Sequence, residues 1–343
     1  MNNQGQPNQL NNNQSQLLQM LYHSFGDEIN KLLNDDRVIE ILLNPDSKLW
    51  VERLGEGREY TGVKINKTQS QKIIELVASG SNAICNYNNP TISAELPGSG
   101  NRFEGILPPI VANPAFSIRK KAINIFTLDN YVDQGIMTQK QNNALVEAVK
   151  KRKNILIVGG TGSGKTTLAN AIIEEISKTK DRVIIIEDTL ELQCSAEDSV
   201  IMRVFNNGTN KVTMNDLLKS CMRLRPDRII VGEVRGPEAL ALLKAWNTGH
   251  PGGIATVHAN SAIAGLQRLE ELVMEASITA QKNTIARAVN IIVYIEKCTY
   301  TNNEGVSTYG RRLKEIIEVY PPFEHEENDN IIQNNGYAYK ELV

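Results

Sequence analysis

Residues 159–167 are of the types that bind a phosphate group. They read Gly-Gly-Thr-Gly-Ser-Gly-Lys-Thr-Thr and match the pattern Gly-x4-Gly-Lys-[Ser/Thr] of phosphate-binding loops (P-loops). Glycines let the backbone curl until several N–H groups converge on one anion. Lys165 would reach the β- and γ-phosphates of a nucleotide, and the Thr166 hydroxyl would ligate Mg²⁺. The predicted nucleotide-binding residues are Gly159, Gly160, Thr161, Gly162, Ser163, Gly164, Lys165, Thr166 and Thr167.

The flanks of this segment suit the motif. Residues 154–158 form an apolar run that predicts a buried parallel strand, and residues 168–176 carry apolar side chains at helical spacing. Strand, glycine loop and helix form the context that the motif needs, and the helix N-terminus adds its positive dipole end. A glycine-rich turn that binds nothing is therefore the weaker interpretation.

A second apolar run, residues 183–186, leads into Glu187 and Asp188. Ligands of α/β sheets bind at the carboxyl ends of strands. Either carboxylate could polarise a water molecule. Glu187 could also hold the groups that bind Mg²⁺ in place without contacting the ion directly. A solvated loop start is the alternative.

A third apolar run, residues 228–231, leads into Gly232, Glu233 and Arg235. Glu233 is the best candidate to order the attacking water and accept its proton. Gly232 stands where many P-loop enzymes carry an aspartate, so the surroundings of the metal are less defined here. Arg235 could contact a phosphate, pair across a subunit boundary, or lie on the surface.

Residues 253–257 predict a strand framed by glycines, and this strand ends at His258. A group that senses the γ-phosphate would lie at the end of a strand beside the P-loop strand. We therefore predict a sensing or coupling role for His258, although a lone histidine is more often a satisfied structural residue. His250, which precedes Pro251, is expected to shape its loop instead.

Two arginines on predicted strands nearer the N-terminus, Arg102 and Arg119, suit bidentate contact with a phosphate. They could close over the nucleotide from another domain or subunit. Salt bridges between domains are the alternative.

Composition limits the classes of function. The net charge of −2 argues against a surface that coats nucleic acid, although a local basic channel remains open. No apolar run approaches the roughly 20 residues that span a bilayer, and the N-terminus lacks a signal-peptide core. The four scattered cysteines form no Cys-x-x-Cys pair, which argues against a zinc or redox site. A cytoplasmic protein that is at most peripheral to a membrane is expected.

The pattern of apolar residues predicts an α/β fold with two domains. Mixed helices and antiparallel strands indicate a smaller N-terminal α+β domain, and apolar strands alternating with helices indicate a mostly parallel sheet after it. The predicted segments are a disordered Asn/Gln-rich tail (1–16), the α+β domain (17–120), a linker (121–135), the nucleotide-binding domain (136–320) and a loose C-terminal tail (321–343).

These motifs together resemble the secretion/traffic ATPase superfamily, and within it the TrbB-type ATPases of conjugative type IV secretion. The P-loop, the acidic box 187–189, the segment 232–235 and the histidine box ending at 258–261 follow in the order of that superfamily. Residues 242–253, Leu-Leu-Lys-Ala-Trp-Asn-Thr-Gly-His-Pro-Gly-Gly, are similar to the conjugation branch in particular.

The resemblance implies a ring of six identical subunits, each with an N-terminal domain and a RecA-like ATPase domain. ATP would bind between the two domains, where Arg102 and Arg119 match the arginines used for nucleotide closure. The ring would lie at the cytoplasmic face of the inner membrane and work with the secretion components there. It would drive channel or pilus assembly or substrate movement, and direct DNA binding stays undecided.

The resemblance also implies roles for individual residues. Lys165 and Thr166 would bind ATP and Mg²⁺. Glu233 would be the catalytic carboxylate, supported by Glu187, and His258 would couple the nucleotide state to movement.

Three other functions stay open at this point. The first is a type II secretion or type IV pilus assembly or retraction ATPase, although many assembly enzymes carry a four-cysteine metal element where this chain has only Cys298. The second is a helicase or translocase, against which the near-neutral charge counts. The third is a scaffold that binds ATP but barely hydrolyses it.

Overall fold

The computed structural model describes residues 12–54, 56–81, 83–121, 126–206, 210–301, 307–321 and 330–342. The chain divides into two compact units, Met1–Ile123 and Asn124–Val343. Among the described residues no helix is long and apolar enough to cross a bilayer.

The first unit is an antiparallel sheet with two helices. Its elements are α1 (Asn12–Asn34), β1 (Val38–Leu43), β2 (Lys48–Arg53), β3 (Gly57–Lys64), α2 (Lys67–Gly80), β4 (Thr91–Glu95), β5 (Arg102–Ile106) and β6 (Ala115–Arg119). The strand order is β3-β2-β1-β6-β5-β4. Alternate residues of β1, such as Ile41 and Leu43, face a core shared with both helices, as expected for a sheet with one covered face. This unit has the predicted α+β character.

The second unit contains a larger, mostly parallel sheet. Its elements are α3 (Leu128–Asp133), α4 (Gln139–Lys150), β7 (Ile155–Val158), α5 (Lys165–Ser177), β8 (Val183–Glu187), β9 (Ser199–Arg203), β10 (Phe205–Asn206), β11 (Lys211–Val212), α6 (Met214–Cys221), β12 (Arg228–Val231), α7 (Glu238–Asn247), β13 (Ile254–Val257), α8 (Ala262–Met274), α9 (Lys282–Ala288), β14 (Ile291–Thr301), β15 (Ser307–Tyr320), β16 (Ile332–Asn334) and β17 (Tyr337–Glu341). The strand order of its large sheet is β16-β17-β15-β14-β7-β13-β12-β8-β9.

The central strands of this sheet explain its architecture. Every residue of β7, β8, β12 and β13 is buried, so these strands are covered on both faces. Two separate cores, one on each face, cover them. Because the strands from β14 to β9 run parallel, their carboxyl ends meet at one edge of the sheet. Side chains that follow those strands therefore come together there.

Two predicted segments differ from the structure near the start of each unit. Residues 1–11 of the predicted tail lie outside the described residues, but residues 12–16 belong to α1. Residues 128–133 of the predicted linker form α3, whose Leu128 and Tyr131 are buried in the second unit's core. Six residues are too few for a helix pattern to stand out in a sequence.

The predicted loose C-terminal tail is partly wrong. Residues 322–329 lie outside the described residues, but β17 pairs antiparallel with β15 and places Tyr337 and Tyr339 in the core. These two apolar residues stand among Asn-rich neighbours, and their strand is stabilised by pairing with a distant segment. Local composition could not indicate that pairing.

Candidate active site

The P-loop follows directly from β7 and ends in the first turn of α5. Gly162 and Gly164 adopt left-handed backbone angles, with φ of 68° and 99°. These angles favour glycine and allow the chain to reverse before the helix begins. Gly164 is the N-cap residue of α5 and has no side chain that could accept hydrogen bonds from the N–H groups of the first turn.

Lys165 points back into the loop that precedes it. The residue is 7% exposed, and its Nζ donates hydrogen bonds of 3.0 Å to the carbonyl oxygens of Gly159 and Gly160. The same Nζ lies 3.3 Å from Nδ1 and 3.4 Å from Nε2 of His258. The lysine predicted to hold phosphates is therefore also in contact with the histidine predicted to sense them.

His258 connects Lys165 to Glu233. Its Nε2 lies 2.9 Å from Glu233 Oε1, and Arg235 Nη2 donates to Glu233 Oε2 at 2.5 Å. With its proton on Nε2, the ring can donate to Glu233 and accept from Lys165 at Nδ1. A continuous chain of contacts thus runs across the carboxyl ends of β7, β13 and β12.

The charge of Glu233 is stabilised by its neighbours. Burial raises the pKa of its carboxyl, but the hydrogen bond and charge of Arg235 and the charges of His258 and Lys165 outweigh burial, and the pKa lies below its usual value. The same hydrogen bond raises the pKa of Arg235. Arg235 Nη1 also lies 3.7 Å from Asp188 Oδ2, so it pairs with two carboxylates of its own unit. Glu233 is therefore ionised at neutral pH.

Glu187 is buried and holds the loop that follows β8. Its Oε1 accepts the N–H groups of Glu191 and Leu192 at 3.0 and 2.9 Å. A Cβ atom on Gly232 would lie 3.0 Å from Glu187 Cγ, so Glu187 fills the space beside this glycine. The structure thus leaves little room for an aspartate at position 232.

Glu191 is a site residue that the sequence reasoning missed. Its Oε2 accepts a hydrogen bond of 3.3 Å from the hydroxyl of Thr166, the predicted Mg²⁺ ligand. Asn170 of α5 ties the same loop to the helix, because its side chain bonds the main chain of Glu191 and Gln193. The available signal was a second carboxylate four residues after Glu187.

Arg102 and Arg119 are brought together within the first unit. They are directly opposite partners on β5 and β6, and Glu95 and Glu40 follow on the neighbouring strands. Opposite partners share a face of the sheet. Their contact with a nucleotide stays a prediction.

The glycine-rich stretch before β13 lies at the other end of the strands. Asn154 Oδ1 accepts the N–H groups of Gly252 and Gly253 at 2.8 and 2.9 Å. His250 Nδ1 lies 3.4 Å from the carbonyl oxygen of Ala245, in accordance with the loop-shaping role expected of it. This stretch supports the sheet away from the P-loop.

A buried ion pair stands beside that stretch. Arg228 is 1% exposed; its Nε donates to Asp181 Oδ2 at 2.6 Å, and its remaining nitrogens donate to the carbonyl oxygens of Gly252 and Val149. Arg152 contacts the other oxygen of Asp181. Every charged group here is paired, which offsets the cost of burial.

Comparison with known proteins gives a family and two similar relatives. A family model described as "Type II/IV secretion system protein" matches residues 28–319. A probable conjugal transfer protein TrbB of Sinorhizobium fredii is 47% identical, covering 88% of this chain and 90% of the relative. A conjugal transfer protein TrbB of Rhizobium radiobacter is 48% identical, covering the same shares.

Solved structures of the same architecture are also known. The crystal structure of the pilus retraction motor PilT with bound ADP is 21% identical, with a TM-score of 0.58, and the match covers 87% of this chain and 83% of that chain. At that identity the likeness concerns the fold. It confirms the predicted α/β class, with an N-terminal domain and a RecA-like domain.

Proposed function

Since the chain belongs to the type II/IV secretion system protein family, and within it to the TrbB-type ATPases of type IV secretion, we propose that residues 159–167 bind and hydrolyse ATP to power conjugative transfer. The observation that carries this proposal is the unbroken contact chain Lys165–His258–Glu233–Arg235 beside the P-loop. It joins a phosphate-binding cation to an ionised carboxylate.

The residues around the P-loop fit a nucleotide with its Mg²⁺. A Cβ atom on Gly160 would meet nothing within 4 Å, so space is open beside the loop. The Thr166 hydroxyl and the Glu191 carboxylate are neighbouring oxygen groups of the kind that Mg²⁺ prefers. Bound Mg²⁺ would neutralise charge on the phosphate oxygens.

Lys165 would exchange partners when ATP binds. A phosphate oxygen carries charge and is a stronger acceptor than the carbonyl oxygens of Gly159 and Gly160. Once Lys165 Nζ turns to the phosphate, the His258 ring no longer has the ammonium group beside it. The hydrogen bond between His258 and Glu233 would then change in response. The coupling role predicted for His258 is therefore supported by its two contacts.

Glu233 would act mainly by orienting the attacking water. Its lowered pKa keeps it ionised at neutral pH but makes it a weak base. Phosphoryl transfer depends chiefly on positioning and charge stabilisation, so a fixed carboxylate suits the reaction. Arg235 would hold that carboxylate in place.

The assembly follows from family membership and belongs to the same proposal. The protein would form a hexameric ring, peripheral to the cytoplasmic face of the inner membrane, together with type IV secretion components. Arg102 and Arg119 of the N-terminal domain would complete the nucleotide site on closure.

The proposal is tested by substituting Lys165→Ala in the full chain. Turnover of ATP should fall at least about 100-fold, because the phosphates lose their cation. Lys178→Ala is the matched control, since this lysine lies at the far end of the same helix and is 59% exposed. Retained turnover in Lys165→Ala would refute the assignment of the site.

The assembly is tested by measuring ATPase rate against protein concentration, with light scattering on the same samples. Turnover per chain should rise as a six-subunit species forms. Equal turnover in a monomer would overturn the ring mechanism while leaving the ATPase activity in place.

A further inference from the structure

Two basic side chains lie against the P-loop on the side away from Glu233. Strand β14 pairs in parallel with β7, and Tyr294 stands opposite Val158, the last residue before the loop. The continuation of β14 therefore runs alongside the P-loop. Lys297 lies on that continuation, and Arg311 of β15 is its directly opposite partner.

These side chains reach the two left-handed glycines of the loop. A Cβ atom on Gly162 would lie 2.8 Å from Lys297 Nζ, and one on Gly164 would lie 3.0 Å from Arg311 Cδ and 3.3 Å from its Nε. Any larger residue at these positions would displace the basic side chains. The ammonium and guanidinium groups thus lie within a few ångströms of the backbone that is expected to surround the phosphates.

The two faces of the hairpin carry different charge patterns. On one face Glu296 pairs with Arg312 at 2.8 Å and with Lys314 at 3.4 Å. On the other face Lys297 and Arg311 form a rung of two like charges. Both side chains also lie close to the glycines of the P-loop, so this face of the hairpin brings two cations to the loop.

We propose that Lys297 and Arg311 are nucleotide-binding residues that attract the phosphates of a nucleoside di- or triphosphate from the β14 side of the P-loop. The inference rests on the proposed function, since it concerns the same nucleotide. The site would then have cations on one side of the loop and the Glu233–His258 group on the other. Lys297 and Arg311 would strengthen binding without taking part in water attack.

The test compares ADP affinity, measured by calorimetry with Mg²⁺ at two salt concentrations, in the full chain and its variants. Lys297→Met keeps the apolar stem over Gly162 but removes the charge, and we expect ADP to bind about tenfold more weakly. The affinity should also depend less on salt, because one screened attraction is lost. Arg311→Gln should act in the same direction.

Two further variants separate charge from packing. Lys297→Arg should restore affinity, because the charge returns. Lys314→Met removes a lysine from the other face of the same hairpin and should bind ADP as the unaltered chain does. For Lys297→Met, KM for ATP should rise while kcat stays within about twofold, as expected for uniform binding.

The outcomes distinguish the two proposals. If Lys297→Met and Arg311→Gln bind ADP with unchanged affinity while Lys165→Ala abolishes turnover, the present inference is wrong and the ATPase assignment stands. If Lys297→Arg fails to restore affinity, packing rather than charge explains the loss, and the inference is again overturned. If the unaltered chain neither binds ADP nor hydrolyses ATP, both proposals fail.

Discussion

Two arginine–carboxylate pairs stand at opposite ends of the same parallel strands. At the start of β12, Arg228 donates to Asp181 at 2.6 Å, and after the end of β12, Arg235 donates to Glu233 at 2.5 Å. The side chains of Arg228 and Asp181 are 1% and 9% exposed, whereas those of Arg235 and Glu233 are 53% and 20% exposed. The chemistry of the two pairs is the same, but their surroundings differ.

The difference separates a structural pair from the pair that we propose to act in catalysis. The other nitrogens of Arg228 donate to main-chain carbonyl groups, and the side chain is buried. The Arg235 pair continues through His258 toward the P-loop and remains open to solvent and ligand. The residue types of a pair therefore do not indicate its role. Its burial and the further side chains that it contacts do.

The largest expected effect is on stability at the buried pair. Arg228→Met leaves Asp181 buried without its main partner and should lower the free energy of unfolding by about 3–5 kcal/mol. Urea unfolding followed by the fluorescence of Trp246, in a Trp50→Phe background, reports on this unit because the chain has only these two tryptophans. Arg235→Met should cost at most about 1 kcal/mol. Equal losses of unfolding free energy in Arg228→Met and Arg235→Met would contradict the distinction between the structural pair and the pair that we propose to act in catalysis.

The next largest effect is on turnover at the exposed pair. Glu233→Gln removes the charge that orients water and should lower kcat at least about 100-fold while ATP still binds. Single-turnover kinetics and equilibrium binding measure the two steps separately. Glu271→Gln, which alters an exposed carboxylate paired with Arg268, is the control. Lost ATP binding in Glu233→Gln would assign this residue to binding instead.

A smaller effect is expected from Arg235→Gln. Glu233 would keep its contact with His258 but lose its strongest hydrogen bond, so kcat should fall roughly tenfold. The pH dependence of kcat sharpens the result, because loss of the cation should move the acidic limb to higher pH. An unchanged acidic limb would show that Arg235 does not hold the charge of Glu233.

The smallest effect concerns the acid sensitivity of folding. Burial raises the pKa of Asp181, but its contacts with Arg228 and Arg152 outweigh burial, and the pKa lies below its usual value. A carboxyl with a lowered folded-state pKa contributes stability above its unfolded pKa and loses it as pH falls through the folded value. Arg228→Met should therefore flatten the loss of stability below about pH 4. Acid unfolding curves of equal steepness in both proteins would contradict this account.

The parallel sheet and the P-loop could be predicted because their signals are local. Residues 155–158 and 183–186 are apolar on both faces, and the glycine pattern of the loop is contiguous. The carboxyl-end rule then indicated Glu233 and His258 before any contact between them was known. Those contacts follow from strand order, which no local pattern contains.

The residues that were missed depend on distant partners. Glu191 lies in a loop without periodicity, and its contact with Thr166 spans 25 positions of the chain. The rung of Lys297 and Arg311 depends on a register shift at Tyr294 and Ile295, which decides the face on which each later residue stands. A slip of one residue in β15 would move Arg311 to the opposite face, away from Lys297.

The last strand has a practical consequence for anyone who shortens this chain. Strand β17 covers the edge of β15, the 14-residue second strand of the β14–β15 hairpin, by pairing with its final residues from Ile317 to Tyr320. A chain ending at residue 321 would leave the backbone groups of β15 near Val319 unpaired. It would also expose the core residues that Tyr337 and Tyr339 cover. Open strand edges of this kind recruit other chains. Trimming the Asn-rich end to obtain crystals would therefore favour precipitation.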